Sequence, residues 1–404
     1  MIKQRYYSLD VFRGATVALM ILVNNAGNWN HIFPPLEHAF WHGCTPTDLV
    51  FPFFLFAVGN AMAFVMPRLR EAGPAVFWRK IGKRSLLIFA IGFFLNWFPF
   101  LQWGGDKLQF YHWVNPENPE QGVRILGVLQ RIALAYFFAA ILVYFLKPKT
   151  LIYTSIALLF VYWGICAYLG SGDPYSLEGW FGTAIDKQIL GVAHLYKGEG
   201  VPFDPEGLMS ALPPVVQVVL GYLTGLFIRQ RGTVDWLWTK VPASKEPHFK
   251  LLSGLMVTGF VLLILGWFWS LGFPINKKIW TSSYVLYTSG LGMLSLGGTI
   301  WFVEVQAVKN ALTKFFDVFG KNPLFIFVLS GFLPRLLDLF RISDGFSESG
   351  EPQYLNALSW FYKYVCAHVP GIPEWGSFVY ALCFLALMWA IAYLLDKRKI
   401  YIKV

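Results

Sequence analysis

A chain of 404 residues in which 56% of positions are hydrophobic, 18% aromatic and only 14% charged cannot clothe itself as an ordinary soluble enzyme, whose charged fraction is about 25%. The formal charge of +10 would suit nucleic acid if the basic residues shared one soluble face. They fall instead between apolar runs, as topology determinants do, and no nucleic-acid partner is expected.

Apolar segments of about 20 residues, the length of a membrane-crossing helix, lie at 13–32, 49–67, 84–101, 125–146, 150–169, 213–230, 251–270, 282–303, 315–340 and 376–395. The fold class is all-α: a polytopic transmembrane helix bundle of about 10 spans in a single domain over 1–404. The ninth segment carries Asp317, Lys321, Pro323, Pro334, Arg335 and Asp338, and is expected as a broken or tilted helix whose polar groups face protein or water. With both termini cytoplasmic, 22 of the 33 Lys and Arg fall inside and 8 outside, in line with the positive-inside rule. The extracytoplasmic loops are then about 33–48, 102–124, 170–212 and 341–375. Two of them, 102–124 and 170–212, are rich in Gly, Pro, Trp and Tyr and carry Asp106, Glu117, Glu120, Asp173, Glu178, Asp186, Glu199, Asp204 and Glu206. Aromatics with carboxylates and amides suit a polyhydroxylated or amino-bearing ligand, although an interfacial aromatic belt has the same composition.

Cys44, Cys166, Cys366 and Cys383 have neither CxxC nor CxxxC spacing, so neither a zinc site nor a disulfide framework is indicated. The first apolar run is followed by a polar aromatic stretch rather than a small-residue cleavage site, and is expected to remain as a span.

The densest polar signal is the first outer connection. Asn24 and Asn25 end an apolar run, His31, His38 and His42 fall within twelve residues, and Asp48 opens the next apolar run. An acid at the lip of an apolar helix is costly without a partner. Asp48 accepting from one ring nitrogen of His38 would fix the imidazole tautomer and raise the basicity of the other nitrogen. A metal held by the three histidines and Asp48 was weighed against this, with His38 and His42 on one helical face; Pro34, Pro35, Gly43 and Pro46 leave little room for helix there, and no metal is assigned.

Ser8-Leu9-Asp10-Val11-Phe12-Arg13-Gly14, Asn24, His38-Ala39-Phe40-Trp41-His42-Gly43 and Thr47-Asp48-Leu49-Val50-Phe51-Pro52 resemble the signature blocks of the heparan-α-glucosaminide N-acetyltransferase family. Arg124 to Arg131, Asp204-Pro205-Glu206-Gly207, Asn276 to Tyr284 and the basic tail Lys397-Arg398-Lys399 extend the likeness almost end to end. The resemblance implies transfer of an acetyl group from cytosolic acetyl-CoA to the amine of a terminal glucosamine-type sugar across the membrane. It makes His38 the catalytic residue, with Asn24 and Asp48 matching the family's Asn and Asp, and it implies a homodimer, though no GxxxG span stands out as an interface. His42 stands where the family's Trp is followed by Asn, a departure that bears on the acceptor sugar.

Acyl transfer from a thioester to an amine needs a base or a nucleophile, and donors for the oxyanion. His38 suits either of the first two roles, Asp48 would orient it, and Asn24 would donate to the thioester carbonyl. The donor's pantetheine arm must thread the bundle, leaving its phosphates near the cytoplasm. Arg79, Lys80, Lys83 and Arg84 form the strongest inner basic cluster, with topology or lipid headgroups as the plain alternative. Gln130 and the intramembrane Arg131 complete the expected cofactor-binding set, Arg131 opposite an acid. Trp41, Glu206, Asn276 and Lys277 are the expected acceptor contacts. The competing readings are an O-acyltransferase acting on an envelope glycan and a sugar transporter or flippase; the first and second halves of the chain show no matching span pattern. A chain with no lumenal domain or processed leader ahead of the first span suits a bacterial inner membrane.

Overall fold

The computed structural model describes residues 6–105, 107–230, 247–347 and 350–402. Of the residues considered above, Lys3, Arg5, Asp106, Arg231, Lys240, Lys245 and Lys403 lie outside the described residues.

Each expected apolar segment contains one or more helices. In chain order they are α1 (Tyr7–Val23), α2 (Val50–Glu71), α3 (Pro74–Trp97), α4 (Val128–Phe145), α5 (Pro148–Leu169), the short loop helix α6 (Gly182–Leu190), α7 (Leu212–Arg229), α8 (Pro247–Trp269), α9 (Ser282–Ile300), α10 (Ala311–Lys321), α11 (Pro323–Leu337), the short α12 (Ala357–Tyr364) and α13 (Pro373–Lys397). Among the described residues seven helical stretches are long and apolar enough to cross a membrane, or up to eight if α10 and α11 count as one bent span. The 17-residue α1 and the basic-headed α3 fall outside that set. The protein is an integral membrane protein.

The first helix begins at Tyr7, six residues before the expected apolar run, and ends at Val23. The stop is chemical: the Asn25 amide donates back to the Ile21 carbonyl at 2.7 Å, closing the last turn, and the chain then runs as turns with 3-10 pieces at Pro34–Leu36 and Pro46–Leu49. The ninth segment is broken as its composition predicts, into α10 and α11 bent by 81°. Asn322 occupies the joint and donates to the Ile400 carbonyl at 3.0 Å. Lys321 bridges Asp317 at 2.7 Å and Asp396 at 3.0 Å, so charges that would be unaffordable against lipid are paired within protein.

Two antiparallel hairpins, β1 (Leu101–Gly104) with β2 (Lys107–Phe110) and β3 (Ile342–Phe346) with β4 (Pro352–Leu355), interrupt the all-α picture in loops that sequence periodicity left without structure. Their strands are four or five residues long and mostly exposed, too short to register as a hydrophobic alternation.

Helices α2 and α7 pack so closely that a Cβ at Gly59 would lie 2.0 Å from the Val218 carbonyl oxygen, and one at Gly221 2.2 Å from that of Phe56. Gly221 and Gly225 form a GxxxG pair. It faces α2 of the same chain, letting backbones approach where lipid offers no hydrophobic drive for helices to associate.

Gly59→Val should therefore cost more than the 1–3 kcal/mol typical of overpacking and lower the melting temperature in detergent. Gly82→Ala on α3, where an added Cβ meets nothing within 4 Å, should leave it unchanged or raised. Equal melting shifts for the two variants would disprove the close-packing account.

Candidate functional site

The head of α2 begins with a 3-10 turn, Pro46–Leu49, in which Thr45 and Asp48 form a reciprocal capping box. That cap turns the Asp48 carboxylate inward, where it is 1% exposed. The carboxylate then gathers its surroundings. Asp48 Oδ1 lies 2.7 Å from His38 Nδ1 and 3.2 Å from Lys277 Nζ, and Oδ2 accepts from the backbone N–H groups of Ala39 and Thr45 at 3.0 and 3.1 Å. From α9, the Tyr284 hydroxyl donates to the Asp48 main-chain carbonyl at 2.5 Å.

With Nδ1–H donated to the Asp48 carboxylate, the lone pair lies on Nε2. The His38 side chain is 43% exposed, and no hydrogen bond among the described residues engages Nε2. Lys277 Nζ, 3.0 Å from the same Nδ1, completes a three-residue cluster. Burial pushes its ammonium down from the ordinary value, and Asp48 pulls it back up.

Lys277 arrives from a tight turn between α8 and α9. The fully buried Asn276 holds that turn: its Oδ1 accepts from Ile279 N–H at 3.0 Å, its own N–H donates to Thr281 Oγ1 at 3.1 Å, and its amide nitrogen approaches His42 Nδ1 at 3.4 Å. Trp280 sits in the turn at φ +50°, a conformation L residues adopt only when packing over-determines it; its ring is wedged against Phe51 and Tyr284. Burial lowers the pKa of His42, although Asp173 opposes it. The stretch 37–45 holds no helix, as its flanking prolines and Gly43 predict, and runs as bends and irregular backbone.

Cys44 is not a competing nucleophile. Burial, with Asp48 adding to it, pushes its thiol up to about 12.

Other expected site residues lie apart from this cluster. Trp41 is anchored through Nε1 to the Tyr175 carbonyl at 2.7 Å, against Phe203. Glu206 is committed to Arg124 at 2.5 Å, and Arg124 also pairs with Asp204. Arg131, 1% exposed, has no carboxylate in contact among the described residues: it donates to the Gly207 carbonyl at 3.1 Å and to Ser210 Oγ, and lies over the Trp280 ring. Its charge is offset by carbonyl, hydroxyl and π density, with Glu206, Asp204 and Asp186 acting at longer range. The expected direct acid partner is therefore replaced by neutral acceptors from the loop before α7.

Asn24 does not touch His38 or Asp48. It lines a cavity of about 350 Å³ where the ends of α1, α3 and α11 meet the start of α4, together with Asn25, Asn96, Arg124, Gln130 and Arg335. The cavity runs down α11 from Arg335 to Phe327, about 12 Å at 1.5 Å per residue. Gln130 was expected and is there; Asn25, Asn96, Arg124 and Arg335 were not assigned to a site. The signal was present, since each is a polar residue at the end of an apolar span. Arg79, Lys80 and Lys83 are exposed on α3, while Arg84 is half-buried over the Tyr136 ring.

A helix bundle of membrane-crossing length with a His–Asp–Lys cluster and an amide-lined cavity at one end defines a polytopic membrane protein whose polar residues are concentrated for binding or catalysis. No family model matches the chain. It is 27% identical over 375 residues to the heparan-alpha-glucosaminide N-acetyltransferase of Homo sapiens, covering 80% of this chain and 52% of that protein. The Mus musculus counterpart is 26% identical over 376 residues, covering 80% and 53%. The chain is related to these acetyltransferases at the level of a family, and it spans about half the length of the curated relatives it matches.

In the loop helix α6, Asp186 is 1% exposed and its carboxyl is pushed up to about 6 by burial, against the pull of the Leu208 and Met209 N–H groups. A carboxyl whose folded pKa is raised favours the native state below its ordinary value and loses that contribution as pH rises through 6. Between pH 4 and 7 this amounts to roughly 3 kcal/mol. Asp186→Asn should flatten that part of the melting profile and raise stability above pH 6. Parallel wild-type and variant profiles would show that Asp186 does not titrate in this range.

Proposed function

We propose that the protein transfers an acetyl group from cytosolic acetyl-CoA to the amine of a glucosamine-type sugar on the extracytoplasmic face, with His38 as base or nucleophile. The observation that carries the reading is the His38–Asp48 pair at 2.7 Å on a half-exposed imidazole. The named activity of the relatives supports acetyl transfer in particular.

In the direct route the sugar amine attacks the thioester carbonyl, its proton passes to His38 Nε2, and the C–S bond breaks to release CoA thiolate, which His38 then protonates. In the covalent route Nε2 itself takes the acetyl group, releasing the thiolate, and the amine then displaces the imidazole. Asp48 stabilises the imidazolium that forms in the direct route, as the buried carboxylate does in hydrolase triads. Lys277 balances the Asp48 charge when His38 is neutral. Arg79, Lys80, Lys83 and Arg84 suit the donor's phosphates on the cytoplasmic side. The same reading puts both termini in the cytoplasm of a bacterial inner membrane, with the loops 33–48, 102–124, 170–212 and 341–375 outside. Trp41, Asn276 and Glu206 then shape the site by holding its loops, and a second copy of the chain is the expected oligomeric partner.

Reconstituted protein given labelled acetyl-CoA on the cytoplasmic side should acetylate glucosamine on the other side. His38→Ala should abolish this while the melting temperature stays within a few degrees, and Asp48→Asn should lower kcat by about 10² or more. Retained turnover in His38→Ala would eliminate the assignment. Label held on the wild-type protein without acceptor would select the covalent route.

A further inference from the structure

We propose that His42 is a positioning residue for the His38–Asp48–Lys277 cluster, serving as the hydrogen-bond acceptor that holds the Asn276–Lys277 turn in place. Where turnover is the readout, this rests on the acetyl transfer proposed above; where the readout is a spectrum, it rests on the contacts alone.

The first argument is burial. Asn276 is 0% exposed, and its Oδ1 accepts from the Ile279 N–H at 3.0 Å, which fixes which end of the amide is nitrogen. Among the described residues that nitrogen has one hydrogen-bond partner, His42 Nδ1 at 3.4 Å. An amide nitrogen only donates, so Nδ1 is the unprotonated nitrogen and the His42 proton lies on Nε2. Removing the acceptor leaves a fully buried N–H bearing its whole desolvation cost.

The second argument is what the turn carries. The connection lies along residues 275–278: the Gly43 N–H donates to the Ile275 carbonyl at 2.8 Å, and Lys278 Nζ donates to the Phe40 carbonyl at 2.7 Å. Lys277, next to Asn276, stands 3.2 Å from Asp48 Oδ1 and 3.0 Å from His38 Nδ1. The curl that brings both imidazoles to this turn passes through Gly43 at φ +111°, a conformation that glycine adopts without strain. A Cβ on Gly43 would lie 3.8 Å from that of Ala39, so the residues that follow His38 and His42 pack against each other. Slack at the His42–Asn276 contact is therefore passed to the ammonium beside the Asp48–His38 pair.

The third argument is protonation. The His42 ring is exposed, and a proton on Nδ1 would set two donors face to face across the contact. The charged groups on the segments packed against it are Asp173, in the loop after α5, and Lys277 and Lys278 on the turn. Burial holds the imidazole below its ordinary value of 6.5, with Asp173 opposing. The contact is thus fully present above 6.5 and is lost as pH falls through the lowered value.

Turnover of purified full-length protein between about pH 5 and 8 tests this in His42→Asn, His42→Gln and His42→Ala. Asparagine carries Oδ1 where histidine carries Nδ1, whereas glutamine supplies polar atoms only toward the Nε2 position. Near neutral pH, His42→Ala and His42→Gln should lower kcat by about 10-fold, and His42→Asn should restore most of that loss. The ratio of kcat in His42→Asn to that in the wild type should rise as pH falls below 6.5, since the amide stays an acceptor and ionisation of His38 is common to both proteins. Rescue by glutamine rather than asparagine would overturn the proposal, because Nε2 would then be the atom in use, and so would a ratio that is flat with pH. Spectra of protein with isotopically labelled histidine nitrogens read the coupling without substrate: the His38 signals should move in His42→Ala and return in His42→Asn. Unmoved His38 signals would overturn the proposal even if turnover fell. A wild type that never turns over, with the His38 signals behaving as stated, would remove the acetyl-transfer reading and leave the positioning role standing. Melting temperatures separate a disturbed site from a lost fold, and if His42→Ala does not fold, the pH ratio of His42→Asn still decides.

Discussion

The Asp48 carboxylate sits at the head of a membrane-crossing helix with almost no exposure to water, and an ionised group in that position is tolerable only when every lone pair has a partner. Its partners come from different parts of the chain. The N–H groups of Ala39 and Thr45 come from the preceding connection, His38 from the same stretch, and Lys277 from a turn more than 200 residues away. Satisfying one acid therefore folds the connection 37–45 back on itself, docks the α8–α9 turn against α2 and sets the orientation of an imidazole. Tyr284 adds a clamp on the main chain of the same residue. The buried position of Asn276 and the strained Trp280 follow from the need to bring Lys277 to that point.

The bundle beneath is arranged so that this end can stay polar. At the opposite end, Arg13 joins Asp10 and the Gly320 carbonyl, and Lys321 joins Asp317 and Asp396, which ties α1, α10 and α13 together across the break in the ninth segment. In the middle, glycines on α2 and α7 bring two backbones into direct contact. The break matters for the site as well. By ending α10 at Lys321 and restarting at Pro323, the chain redirects α11 so that Arg335 reaches the cavity wall beside Asn24. Two stations result at the same end of the molecule, an acid–imidazole–amine cluster and an amide-lined cavity.

Much of this was legible in the order of the residues. Apolar segments of bilayer length located the helices, since a helix is the structure that satisfies its own backbone in lipid, and the interruption of the ninth segment by charge and proline predicted its break. The contact between Asp48 and His38 was legible too, because a lone acid at a helix lip has few ways to be satisfied. The start of α1 and the two hairpins were not, since short exposed elements carry no periodic signal. Nor was the fate of Arg131, whose partners are carbonyl and hydroxyl groups rather than the acid its charge suggested, or of Glu206, which is consumed by Arg124.

The sequence by itself determined that this is a membrane protein, where its helices run, and where its rare polar residues gather at their ends, because those follow from local composition and the cost of burying charge. Only the tertiary structure decided how those residues divide. It joined Lys277 to His38 and Asp48 and moved Asn24 away from them to stand with Asn96, Gln130 and Arg335. Such groupings depend on which helix ends meet and which amide atoms are already spent on backbone carbonyls, and these are properties of packing between segments distant in the chain.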